Sequence, residues 1–138
     1  MDAEERLPIT GEADIVRARQ RARDRARALG FGAVDQSRIA TAVSELARNV
    51  VRYATGGRGE AVIRTLPRPA GTAGAGIEVV VRDDGPGIAD VEAAMRAGFT
   101  SGSGLGMGLP GTKRLMDEMA VDSAAGRGTT VTVRKWRR

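Results

Sequence analysis

Cysteine and histidine are both absent from this sequence of 138 residues, and aromatic side chains make up only 3% of it. Without cysteine there are no disulfides, thiolate zinc sites, iron–sulfur clusters or thiol nucleophiles. Without histidine, Ser-His-Asp chemistry is excluded, and so are the commonest transition-metal ligand and any phosphohistidine on this chain. Acid–base chemistry here must rest on Asp, Glu, Lys, Arg or Tyr. No stretch approaches the ~20 apolar residues that span a membrane. The start, Met1-Asp2-Ala3-Glu4-Glu5, is acidic and lacks the apolar region of a signal peptide. A cytoplasmic location with no membrane partner is the expectation.

Lysine is scarce too. The chain carries 22 Lys+Arg against 17 Asp+Glu, a net charge of +5, yet Lys113 and Lys135 are its only lysines. A basic balance favours an acidic partner. The few aromatics are not interleaved with basic runs as a single-strand binder needs, so no specific nucleic-acid partner is expected. The 41% of hydrophobic residues suffices for one core, and residues 1–138 read as a single domain.

Hydrophobic spacing organises the chain. Leu7 to Thr10 suits a short edge strand, where Pro8 is tolerated. From Glu12 to Leu29, Ile15, Ala18, Ala22, Ala26 and Leu29 form a narrow helical stripe. The arginines at 17, 19, 21, 23, 25 and 27 fill the rest of that helix, either as a solvated face or as a docking face for an acidic partner. Gly30-Phe31-Gly32 ends it, and Asp35 reads as the N-cap of a second helix over Gln36–Ala54. Ala61–Leu66 and Ile77–Arg82 read as strands joined by a glycine-rich loop, Pro67 to Gly76. A short helix over Asp90–Ala97, a helix over Leu109–Met119 and a last strand over Thr129–Trp136 complete the set. This order predicts an α+β two-layer sandwich, with a mixed, mainly antiparallel sheet covered by helices on one face.

Three segments carry chemistry. Glu45 and Asn49 lie four residues apart, one above the other at about 6 Å on a helix. A carboxylate can polarise a hydroxyl there while a carboxamide offers a neutral oxygen to Mg²⁺. Taken alone, such a pair also suits a plain solvated helix face. Asp83-Asp84-Gly85-Pro86-Gly87-Ile88 follows a buried strand, so Asp83 can accept an amino group where the glycines let a flat ligand approach. A tight turn centred on Pro86-Gly87 is the plainer reading. Gly102-Ser103-Gly104-Leu105-Gly106-Met107-Gly108-Leu109-Pro110-Gly111 exposes successive amides before a helix start, an anion site suited to a polyphosphate, or else a surface loop. There is no Gly-x-x-x-x-Gly-Lys-Ser/Thr, so this is not a P-loop. Gly106-x-Gly108-x-x-Gly111 matches the dinucleotide fingerprint in letters only, because Pro110 interrupts it and no strong strand precedes it.

The three segments occur in an order that resembles the GHKL ATP-binding family, the fold shared by gyrase, histidine kinases and MutL. Glu45…Asn49 is similar to its N-box, Asp83-x-Gly85-x-Gly87 to its G1 box and Gly104-x-Gly106-x-Gly108 to its G2 box. Further segments resemble one branch. Gly30-Phe31-Gly32, Ser44-Glu45-Leu46-Ala47-Arg48-Asn49, Gly98-Phe99 and Gly108-Leu109-Pro110-Gly111-x-Lys113-Arg114-Leu115-Met116-Asp117-Glu118 are similar to the RsbT-like serine/threonine kinases and switch factors of bacterial stress signalling. That branch is related to the RsbW and SpoIIAB anti-sigma kinases.

The resemblance implies a role for each matching position. Asn49 would coordinate Mg²⁺ on the ATP phosphates, Glu45 would be the general base, and Asp83 would accept the adenine amino group. Gly85 and Gly87 would leave room for the purine. Gly104, Leu105, Gly106, Met107 and Gly108 would wrap the phosphates, Thr129 would assist at the adenine, and Lys113 would neighbour the phosphates. It also implies ATP and Mg²⁺ as cofactors, a STAS-domain antagonist as protein substrate, and a PP2C-type phosphatase or a sigma factor as a further partner. Two other readings stand beside it: an anti-sigma factor whose nucleotide shapes a binding surface, and a nucleic-acid binder acting through the Arg17–Arg27 helix.

Overall fold

The computed structural model describes residues 4–53, 58–67, 74–85, 108–124 and 126–137. Five strands and three helices lie among them: β1 (Glu5–Ile9), α1 (Glu12–Ala28), α2 (Ala33–Tyr53), β2 (Gly59–Leu66), β3 (Gly76–Asp83), α3 (Gly108–Leu115), β4 (Glu118–Ser123) and β5 (Thr129–Trp136). The sheet order is β1-β2-β3-β5-β4. Every strand pair among the described residues is antiparallel, in keeping with the mainly antiparallel sheet that the sequence led us to expect. Residues 67–75 join β2 to β3 and residues 124–128 join β4 to β5, lengths that suit an antiparallel pair and fall short of the crossover a parallel pair would need.

One face of the sheet carries the helices. Ala61 and Ile63 of β2, Ile77, Val79 and Val81 of β3, and Val131 and Val133 of β5 are all buried beneath them. On α1 the stripe Ile15, Ala18, Ala22 and Ala26 is buried as its spacing predicts. Three of those four are alanine, which lets the α1 backbone lie close to its neighbours. On α2 the stripe is Ile39, Val43, Leu46 and Val50, with Ala42 and Ala47 filling the flanks. The result is the expected two-layer α+β sandwich.

Chain punctuation explains the entry to α2. Gly30 has φ +90°, and the Phe31 and Gly30 N–H groups donate to Ala26 O and Arg27 O at 3.0 Å. That is a Schellman ending, with Phe31 buried against the helix it terminates. Asp35 is not the N-cap of α2, because the helix begins at Ala33. The Gln36 N–H already reaches Gly32 O at 2.9 Å, and its side-chain amide holds Phe31 O at 2.8 Å. Asp35 sits in the first turn, 3.8 Å from the buried Lys135 Nζ.

A second correction concerns the chain after α3. The expected helix over Leu109–Met119 stops at Leu115, and β4 follows as an edge strand paired to β5. Lys135 Nζ donates to Leu115 O at 2.9 Å and lies 3.7 Å from Asp117, so β5 fixes this helix-to-strand corner. The expected helix at 90–97 and most of the loop at 67–76 lie outside the described residues.

Candidate active site

Sheet register assembles one end of the site. Gly59 of β2 pairs with Asp83 of β3, which pairs with Thr129 of β5, which pairs with Ser123 of β4. Residues directly opposite on an antiparallel pair share a face. Two-residue alternation puts this row on the helix side, just beyond Val81 and Val131. Asp83 is therefore the first polar residue past the apolar part of β3.

The row is tightly spaced at its backbone. A Cβ on Gly59 would lie 2.1 Å from Arg82 O and 2.8 Å from Val50 Cγ1. Val50 of α2 thus rests directly on the residue that pairs with Asp83. Asn49 precedes Val50 in the chain, and Glu45 lies one turn earlier. This contact sets the helix segment that carries Asn49 against the strand residue paired with Asp83.

Hydrogen bonds orient the groups. Asp83 Oδ1 accepts from the Gly85 N–H at 2.8 Å, and among the described residues no donor reaches its Oδ2. This bond closes an Asx turn over residues 83–85, while the turn expected at Pro86-Gly87 lies outside the described residues. Ser123 Oγ donates to Gly128 O at 2.8 Å and lies 2.9 Å from Thr129 Oγ1. A hydroxyl has a single proton, so Thr129 donates to Ser123 and keeps its own lone pairs as acceptors. A carboxylate oxygen and a hydroxyl oxygen side by side suit a ligand amino group. Glu45, on the flank of α2, accepts from Arg48 Nη1 at 2.8 Å, which orients its carboxylate.

At the other end, α3 starts at Gly108, which has φ +69°. Leu109, Pro110, Gly111 and Thr112 of its first turns are buried, and Thr112 Oγ1 donates to Gly108 O at 3.0 Å. No acidic residue lies in the first turn, so the turn itself holds no carboxylate to offset the positive end of the helix dipole. Lys113 is exposed, and no described contact joins it to Glu45 or Asp83. Gly87, Gly104, Leu105, Gly106 and Met107 lie outside the described residues.

Among the described residues no group of three or more acidic side chains is placed to cage a metal. The donor chemistry available is one carboxamide oxygen, on Asn49. That fits Mg²⁺, which keeps several waters and takes much of its coordination from substrate phosphates. Ser123, Arg48, Gly59 and Gly128 join the site without having been singled out in the sequence. For Ser123 a signal exists, because Met119, Val121 and Ser123 alternate with a period of two.

Comparison with known proteins matches residues 10–135 to the histidine kinase-like ATPase domain. The chain is 49% identical over 130 residues to the serine/threonine-protein kinase RsbT of Bacillus subtilis (strain 168), covering 94% of each. It is 33% identical over 100 residues to an anti-sigma F factor of Clostridium novyi (strain NT), covering 70% of this chain and 68% of that one. Among solved structures, the mycobacterial sensor histidine kinase MprB matches with a TM-score of 0.58 at 25% identity, over 99% of each chain. The RsbU and RsbW domains of a Mycobacterium tuberculosis protein match with a TM-score of 0.62, over 98% of this chain and 31% of that one. At 22% identity that second likeness speaks for the fold alone. An antiparallel sheet covered on one face, a strand-end aspartate and a Glu/Asn helix all fall within the matched span, and the chain belongs to the histidine kinase-like ATPase family, as a relative of the RsbT serine/threonine kinase.

Proposed function

We propose that the chain, as one domain over residues 1–138, is a protein serine/threonine kinase that uses ATP. Its substrate is a serine or threonine hydroxyl on a STAS-domain antagonist in a partner-switching pathway, and once released it activates a PP2C-type phosphatase. The observation that carries this reading is the packing of Val50 on Gly59. It couples the Glu45/Asn49 turn of α2 to the Asp83–Thr129 row.

Each residue then has a task. Asp83 Oδ2 accepts the adenine amino group, with Thr129 Oγ1 as a second acceptor beside it. Gly85 and Gly87 leave space for the ring. Gly104 to Gly108 and the first amides of α3 hold the phosphates, with Lys113 as a neighbouring charge. Asn49 offers its carboxamide oxygen to Mg²⁺, which when bound neutralises phosphate charge. Glu45 takes the proton of the attacking hydroxyl as its oxygen bonds to the γ-phosphorus and the bond to the ADP oxygen breaks. Phosphoryl transfer needs mainly positioning and charge neutralisation, so a chain without histidine loses nothing.

Two measurements test the reading. Mg-ATP and Mg-ADP should raise the thermal midpoint of the wild-type chain, and Asp83→Asn should abolish that shift. With γ-labelled ATP and a STAS-domain protein, Glu45→Ala should cut label transfer by about 100-fold or more while the nucleotide shift remains. Transfer unchanged in that variant removes Glu45 as the base. Relatives named anti-sigma F factors match at lower identity and over less of the chain. A sigma-factor-binding role accordingly ranks second, and co-purification of a sigma factor in place of a STAS protein would raise it.

A further inference from the structure

An open groove of about 410 Å³ lies where the first turns of α2 meet the end of α3, lined by Ala33, Val34, Ser37, Arg38, Thr41 and Leu115. Val34 is 64% exposed, one of two large apolar side chains so placed among the described residues. No carboxylate lines the groove. Arg38 borders it with a half-exposed guanidinium that gives Asp35 one bond, at 3.0 Å, and has further N–H groups to offer. Arg114, next to Leu115 in the chain, is exposed and forms no ion pair with a described residue.

The direction of the groove matters more than its size. Ser37, Thr41, Glu45 and Asn49 follow one another at four-residue intervals, so they form one row along α2 with steps of about 6 Å. Two lining residues of the groove thus continue the row that carries the proposed base. The floor is held still, because Leu115 O is fixed by the buried Lys135 Nζ.

We propose that this groove is the docking subsite for the protein substrate. It holds an apolar side chain flanked by carboxylates, about five residues from the hydroxyl presented to Glu45. That spacing follows from the ~16–18 Å along α2 between Glu45 and the apolar lining residues Val34 and Ala33 and the ~3.3 Å advance of an extended chain. The apolar floor selects the side chain, and Arg38 and Arg114 select its acidic neighbours. This inference rests on the kinase reading above, with the groove as a specificity determinant of the same reaction.

The test uses the full chain and a STAS-domain protein that accepts label from it. Val34→Glu and Arg114→Glu change exposed side chains, and unchanged stabilisation by Mg-ATP checks that both variants fold and bind nucleotide. Each should raise the KM for the protein substrate about tenfold, roughly the effect of one lost 1.4 kcal/mol contact. The kcat at saturating substrate and ATP hydrolysis without substrate should stay within about twofold, and Arg114→Lys should restore the KM. Raised salt should weaken the wild-type interaction more than that of Arg114→Glu. Wild-type KM values in both glutamate variants would overturn the groove while leaving the kinase reading intact. A wild-type chain that neither shifts with Mg-ATP nor transfers label would overturn both.

Discussion

Gly126 and Gly128 flank the turn into β5 with nearly the same backbone, φ +77° and φ +76°. Their surroundings differ sharply. A Cβ on Gly126 meets nothing within 4 Å, whereas one on Gly128 would lie 2.3 Å from Asp83 O. Left-handed backbone costs a non-glycine residue about 1–2 kcal/mol wherever it occurs. Gly126→Ala should therefore destabilise the chain by about 1 kcal/mol in denaturant unfolding and leave nucleotide binding alone. Gly128→Ala adds a backbone clash that only movement of Asp83 can relieve, so its loss should exceed that ~1 kcal/mol several-fold. It should also shrink the thermal shift given by Mg-ATP. Equal losses in the two variants would show that the Asp83 contact is not restrictive. Glu45, Asn49 and Asp83 could be singled out in the sequence because their own chemistry marks them. Gly128 and Gly59 could not, because their importance comes from how closely they lie against neighbouring strands, which exists only once β2, β3 and β5 are paired.

At the start of α1 the N-cap is Gly11, which offers no side chain to the helix amides. Asp14, in the first turn, compensates by reaching backward. Its Oδ2 accepts from the Thr10 N–H and the Thr10 hydroxyl, both at 2.9 Å, while Arg17 Nη1 donates to Oδ1 at 2.6 Å. Those bonds, led by the Thr10 backbone amide and hydroxyl, hold the Asp14 carboxyl below its ordinary range against the opposing effect of burial. Asp14→Ala should cost about 1–2 kcal/mol, the usual effect of losing a helix cap. The carboxyl is lowered on folding, so its contribution is complete above the unfolded value of about 3.8 and fades as pH falls below it. A stability difference between wild type and Asp14→Ala that stays constant down to pH 2 would refute this assignment. Elements with many buried positions were legible in sequence: α1, α2 and β3 repeat their apolar residues at the right period often enough to be unmistakable. β4 was not. Leu115, Met116 and Met119 mimic helical spacing, and an edge strand that alternates half-buried with exposed residues offers little contrast. The arginines of α1 needed the fold as well. Arg17, Arg21 and Arg25 are committed to Asp14 and Glu5, while Arg19, Arg23 and Arg27 remain on the exposed side.

Across the whole molecule, the sheet face opposite the helices is organised by charge. One cross-strand row runs Arg64, Glu78, Arg134, Glu118, through β2, β3, β5 and β4, with alternating sign. Glu78 is its centre: its side chain is only 4% exposed and accepts from Arg64 at 2.6 Å and from Arg134 at 2.7 Å. Arg134 reaches on to Glu118 at 3.4 Å, and Glu4 adds to the negative field at Arg64. Burial by itself pushes the Glu78 carboxyl up, but the hydrogen bonds and charges of both guanidiniums outweigh it and hold the group below its ordinary 4.5. A carboxyl lowered on folding stabilises the native state above its unfolded value, and that stabilisation is lost as pH falls through the lower folded value. Three of the five strands meet at this carboxylate, so its protonation loosens the sheet as a unit. At neutral pH Glu78→Gln should cost about 3 kcal/mol, since it leaves two guanidiniums without their buried counter-charge. As pH falls from 4.5 through the lower folded value, the wild-type carboxyl itself becomes neutral, and the two proteins should converge. Denaturant midpoints of wild type and Glu78→Gln measured from pH 7 to pH 2 decide it. A gap that closes between pH 4.5 and 2 assigns acid lability to this row, and a gap of constant width would mean that shape at position 78, not charge, sets the stability of the sheet.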